Sequence, residues 1–189
     1  TPPPPPPPTP RLDSSAASDV YKRQLLSCCM LFSMLSFGQS EPDPLEKEAI
    51  TMIRQIYTIV SGETSDQVDW DRLRSLFIEE AVIVLRTSRE TSTRFTLEEF
   101  IQDFKDFYKS PAMKESAFKE EVLRLKAEVY HDIAFIAVVY EAHILESERP
   151  PTKGIDFWLL IRKDKFWKVA AVTNEVIPPG EEIPEMFDD

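Results

Sequence analysis

The sequence predicts an α+β domain in which helices pack on one face of a strongly bent, mainly antiparallel sheet. Three observations predict it: helical periodicity with explicit start signals between residues 43 and 108, a switch to a period of two from Phe118 onward, and very short connections between the later apolar runs. Connections that short join antiparallel neighbours. The order is helix, helix, strand, helix, then four strands, and it segregates the helices to one side of the sheet.

Asp43-Pro44-Leu45-Glu46 is a helix start, with Asp as cap, Pro in the first turn and Glu placed to reach back. Leu45, Ala49, Met52, Ile53, Ile56, Tyr57 and Val60 then recur at spacings of three and four, forming one apolar face of a helix that stops at Gly62. A second, shorter helix carries Trp70, Leu73, Leu76 and Phe77. The run Ala81-Val82-Ile83-Val84-Leu85 is rich in β-branched residues and reads as a strand. Thr96-Leu97-Glu98-Glu99 is a capping box, followed by Leu97, Phe100, Ile101, Phe104, Phe107 and Tyr108 on one face of a third helix. Strands follow at 118–130, 133–145, 154–163 and 166–176. They are joined by turns at His131-Asp132 and Lys163-Asp164-Lys165 and by a loop at Pro150-Pro151.

Composition narrows the chemistry. The chain has 189 residues with 22 Lys and Arg against 33 Asp and Glu, a net charge of −11, which repels phosphate backbones and anionic lipid alike. Nucleic acid is therefore not an expected partner. The four glycines, Gly38, Gly62, Gly154 and Gly180, are too scattered to build a phosphate-cradling loop. Cys28 and Cys29 are adjacent, and His131 and His143 lie far from them, so no zinc spacing and no disulfide framework exists. No cofactor and no metal are expected.

The N-terminal residues separate from this domain. Residues 1–24 begin with a polyproline run, and Ser14 to Gln24 can be back-translated into a string that resembles the transposon adapter of sequencing libraries. Residues 25–38 are uncharged, mostly apolar and end in small residues, as a signal peptide does, with cleavage near Gln39. The stretch is too short to span a hydrocarbon core of about 30 Å as a helix. The expectation is an exported protein, periplasmic or secreted, with no membrane attachment after cleavage. Residues 39–177 then form the domain and 178–189 an acidic, solvated tail.

The element order, together with LRSLFIEEAVIVL, VYHDIAFIAVVYEA and GIDFWLLIRKDKFWKVAAV, resembles the nuclear-transport-factor-2-like superfamily, SnoaL-like branch, over about residues 45–177. The resemblance implies a cone-shaped fold of three N-terminal helices on the bent sheet, with a pocket between them. It also implies roles, since isomerase-like members use a Tyr of the first helix and an acid in an I-D-x-F strand as hydrogen-bond donors to a developing oxyanion. Tyr57 and Asp156, within Ile155-Asp156-Phe157-Trp158, occupy those places. The family's carboxylate base falls at Leu85, which cannot accept a proton, and Glu79 and Glu80 come too early to replace it.

The candidate pocket residues are Tyr57, Tyr140, Asp156 and Trp158. Plainer readings stand beside them. Tyr57 also reads as a core aromatic with its hydroxyl tied to a neighbour, and Asp156 as the partner of a Lys or Arg at a strand edge. Glu141 and His143 share a strand face and read either as a relay or as a solvated strand end. Two functions follow: an exported domain that binds a small, largely apolar molecule or serves as a homodimeric interaction module without catalysis, or an enzyme of lyase, isomerase or hydrolase type using Tyr57 and Asp156. In the last hairpin both faces are apolar, and the helices can cover only one. A second copy, or residues 176–187 folding back, is expected to cover the other.

Overall fold

A computed structural model describes residues 43–86 and 90–187 of the chain. The adapter-like segment and the signal-peptide-like segment fall outside the described residues. Helix α1 (Pro44–Ile59) is capped by the Asp43 carboxylate, which accepts from the Leu45 N–H at 2.9 Å, and it buries Ala49, Met52, Ile53, Ile56 and Tyr57. Helix α2 (Trp70–Ser75) is capped by Asp69, and α3 (Leu97–Tyr108) by the reciprocal Thr96 and Glu99 box that the sequence announces.

The strands are β1 (Phe77–Arg86), β2 (Ser92–Phe95), β3 (Phe118–Tyr130), β4 (Ile133–Ile144), β5 (Thr152–Lys163) and β6 (Phe166–Val176). They form one sheet in the order β2-β1-β6-β5-β4-β3, antiparallel throughout except where β1 lies parallel to β6. The α+β architecture and the long hairpins thus match the expected layout. Type and place of the hairpin turns are visible in the left-handed backbone of His131, Asp164 and Lys165.

Three expectations are corrected. Gly62 does not stop α1, whose last turn closes at Val60; Gly62 instead exchanges both backbone hydrogen bonds with Phe118, at 2.9 and 2.8 Å. Phe77 does not belong to the second helix. The carbonyl of Leu76 accepts from Val169 N–H at 2.8 Å, so β6 captures the chain there and β1 begins. Strand β2 adds to the expected elements, because Ser92-Thr93-Arg94-Phe95 is largely exposed and has no apolar alternation; its backbone pairing to Ile83–Arg86 alone makes it a strand.

Register shifts bend the sheet. One lies between Val122 and Arg124 on β3, one beside Leu159 and Leu160 where Ala170 is extra on β6, and one between Phe77 and Val82 on β1. An extra residue on one strand twists it and exchanges its two faces. On β6 the buried set therefore changes from Trp167 and Val169 to Val172, and Asn174 follows it inward.

The main core lies between the helices and the concave face, with Ile53, Leu73, Ile83, Ile101, Ile136 and Leu160 almost wholly enclosed. The convex face is treated differently at its two ends. Ala137, Val139 and Ile155 are covered by Ile177, Ile183 and the buried Phe187, whereas Val82, Ile133, Phe135 and Leu159 remain exposed. The C-terminal run is accordingly acidic at its surface and anchored by Phe187, rather than solvated throughout.

Candidate functional site

Residues from three distant stretches of the chain meet at one point of the cone. Tyr57 comes from the buried face of α1, Tyr140 from β4, and Asp156 and Trp158 from β5, where a period of two puts both on the concave side. All four line a cavity of about 200 Å3, together with Ile56, Val60, Leu85, Phe100, Phe104, Glu120, Val172 and Asn174. The wall toward α1 and α3 is apolar, and the polar atoms gather at the sheet.

A directed chain of hydrogen bonds crosses this cluster. The indole Nε1 of Trp158 donates to the Tyr57 hydroxyl at 3.1 Å, and that hydroxyl donates in turn to Oδ2 of Asp156. The Tyr57 ring stands edge-on to Trp158, with centroids 6.1 Å apart, and tilted to Tyr140 at 6.3 Å. Asp156 is 8% exposed, the most enclosed residue of charged type among the described residues. Burial lifts its pKa to about 7, against which the Tyr57 hydrogen bond works by favouring the carboxylate. Burial and the neighbouring Asp156 charge push the Tyr57 hydroxyl well above its ordinary value.

Glu120 is the member of this site that the sequence reading missed. Its stem is half-buried, its carboxyl faces the cavity, and burial with the Asp156 charge raises its pKa to about 8. It is held in place by Ser61, whose hydroxyl accepts from the Glu120 N–H at 2.9 Å and donates to the Tyr57 carbonyl at 2.8 Å. The same turn of α1 is closed by the Tyr108 hydroxyl, which donates to the Val60 carbonyl at 2.6 Å. Carbonyls that a helix end leaves open are thereby satisfied, and the end of α1 is fixed against β3.

Tyr140 reaches into the cavity across its cross-strand neighbour Gly154, where a β-carbon would collide with the ring and hydroxyl of Tyr140. Its hydroxyl shares a hydrogen bond with the Asn174 side chain, and burial raises its pKa. Asn174 also accepts from the Arg86 backbone N–H at 2.6 Å, tying the end of β1 to the pocket.

The plainer reading of Asp156 as an edge ion pair does not hold: its partner is Tyr57, and no Lys, Arg or His lines the cavity among the described residues. Glu141 and His143 lie on the other face of β4, outside the cavity, and Glu141 meets Lys153 at 3.8 Å. They form no relay. Among the described residues no group of three or more His, Cys, Asp or Glu could hold a metal ion.

No family model and no curated protein matches the chain. Solved structures do. A nuclear-transport-factor-2-like (NTF2-like) protein of unknown function from Pseudomonas putida superposes with a TM-score of 0.56 at 13% identity, covering 76% of this chain and 94% of that one. A cystatin-like-fold protein of unknown function from Nostoc punctiforme gives 0.55 at 12% identity over 72% and 95%, and one from Caulobacter vibrioides gives 0.54 at 14% over 70% and 89%. At such identities the likeness speaks for architecture alone. The chain has the α+β cone fold that NTF2-like and cystatin-like-fold proteins share.

Proposed function

We propose that this domain binds a small, largely apolar molecule in its cone cavity and works as a homodimer, exported from the cytoplasm. The observation that carries the reading is the cavity itself: an apolar wall of Ile56, Val60, Phe100, Phe104 and Val172 facing a small convergent polar cluster. That combination is what a small-molecule site requires, since shape supplies affinity and a few polar groups fix orientation. The exposed apolar end of the convex face supports the dimer, and the uncharged stretch at residues 25–38 supports export.

The rival enzymatic reading gains one observation, because Glu120 supplies a second titratable group where Leu85 offers none. Against it stands the direction of the hydrogen bonds. A Tyr57 proton given to Asp156 is not free to stabilise an oxyanion. Screening a set of neutral and charged molecules of about phenyl size by thermal shift and two-dimensional NMR tests the binding reading. Ligands should perturb Tyr57, Tyr140 and Trp158 resonances together. A protein that binds none of them, or binds them only on its convex face, has no cavity receptor.

A further inference from the structure

Among the described residues the cavity is lined by two carboxyl groups and by no cationic side chain to answer them. Four elements packed round it contribute titratable groups: Tyr57 from α1, Glu120 from β3, Tyr140 from β4 and Asp156 from β5, while Tyr108 of α3 lies beside Glu120. None is basic. In the interior of a folded protein a carboxylate is ordinarily paired, and here neither Glu120 nor Asp156 meets a Lys, Arg or His among the described residues. Among the described residues the side-chain partner of Asp156 is a hydroxyl donor, Tyr57, itself supported by Trp158. The Tyr57 hydroxyl donates to Asp156 and makes it the acceptor at the end of the chain, and an acceptor is complemented by a donor. Round it stand the faces and edges of Tyr57, Tyr140, Trp158, Phe100 and Phe104, the surroundings in which an organic cation is held by ring quadrupoles.

Resting on the binding reading above, we propose that the cavity is a receptor for a small organic cation, a protonated or quaternary amine on an apolar body, with its charge beside Glu120 and Asp156 inside the aromatic ring of the site. The body would lie against Ile56, Val60, Leu85 and Phe104. Size agrees, for an apolar cavity of about 150 Å3 accommodates a benzene ring, and this one is about 200 Å3. A carbonyl ligand fits the same space but not the same polarity. With the Tyr57 hydroxyl already donating to Asp156, a carbonyl would need one of the two carboxyls protonated to donate to it, whereas a cation is complemented by both in their ionised form.

The two chemistries have opposite proton linkage. An amine favours both carboxyls ionised and must displace protons from groups that titrate at about 7 and about 8, so it binds more tightly as pH rises. A carbonyl acceptor favours them protonated and weakens over the same range. Calorimetric titration of the full chain with benzyltrimethylammonium and with benzyl methyl ketone, at pH 6 and pH 9, separates them. The cation is expected to gain tenfold or more in affinity between the two, with proton release seen by comparing buffers of different ionisation enthalpy. Glu120→Gln and Asp156→Asn should each lose about tenfold for the cation at pH 9 and little for the ketone, with folding checked by tryptophan fluorescence. The pH profile of the unaltered protein carries the test should either variant fold poorly. A ketone that binds better than the cation at both pH values, or a cation affinity that ignores pH, overturns the proposal and leaves the cavity reading intact. Failure of both probes at millimolar concentration removes both.

Discussion

At the scale of single residues, Asp156 and Glu120 show how far a sequence discloses a site. Asp156 is legible because it interrupts a strand that is apolar on both faces, and a charge between Ile155 and Phe157 needs a reason to be there. Glu120 is not. A strict period of two that places Leu125, Ala127 and Val129 inside puts Glu120 outside, and only the extra residue at Leu123 returns it to the cavity. Nothing in KEEVLRLKAEV marks that shift. Both acids carry a stability consequence with a definite sign. Each has its pKa raised by folding, so between the unfolded and folded values the native state holds more protons than the unfolded one, and stability falls as pH rises. For Asp156, moved from 3.8 to about 7, the loss is on the order of 4 kcal/mol, since each tenfold change in proton affinity is worth about 1.36 kcal/mol. Urea unfolding of the ligand-free protein should therefore give greater stability at pH 5 than at pH 8.5, and Asp156→Asn should flatten much of that slope. An Asn variant whose slope equals the parent's would show that Asp156 titrates normally.

Among the elements, those with strong periodicity are legible and those defined by backbone pairing are not. Helix α3 can be read from its capping box and aromatic face, and β3, β4, β5 and β6 from alternation and tight turns. Strand β2 and the parallel contact of β1 with β6 depend on partners far along the chain, which local pattern does not encode. Two substitutions test how elements hold the site. Thr96→Ala removes one half of the α3 box and should cost about 1 kcal/mol without touching the cavity, read from the urea midpoint. Gly154→Ala acts on the pocket instead. Its new β-carbon would overlap Tyr140, so β5 or the ring must give way, at about 1–3 kcal/mol for an overpacked interior. The Tyr140 ring resonances should shift while those of α3 stay in place. A variant with parent stability and an unmoved Tyr140 would mean that the strands separate easily there, and that Gly154 does not position the ring.

At the scale of the described domain the convex face is covered at one end and bare at the other. Tail residues Ile177, Ile183 and Phe187 cover Ala137, Val139 and Ile155, and this cover ends short of the hairpin turn. Beyond it a lateral row runs from Val82 through Ala171 and Leu159 to Phe135, in cross-strand register, with Phe135 stacked on Phe157 at 5.5 Å between centroids. Val82, Leu159 and Phe135 are 41, 46 and 40% exposed, an apolar row that water meets in a monomer. A second copy laid across the same row would bury it by a self-complementary contact, as a twofold interface requires. Light scattering of the full chain should give a dimer at tens of micromolar. Phe135→Lys combined with Leu159→Lys should give a folded monomer with the parent's affinity for benzyltrimethylammonium, because both side chains point away from the concave face. Cutting the chain after Ile177 should have the opposite effect, uncovering Ala137, Val139 and Ile155 and driving association beyond the dimer. A monomeric parent would make the tail the sole cover of this face, and a dimer indifferent to the two lysines would place the interface elsewhere.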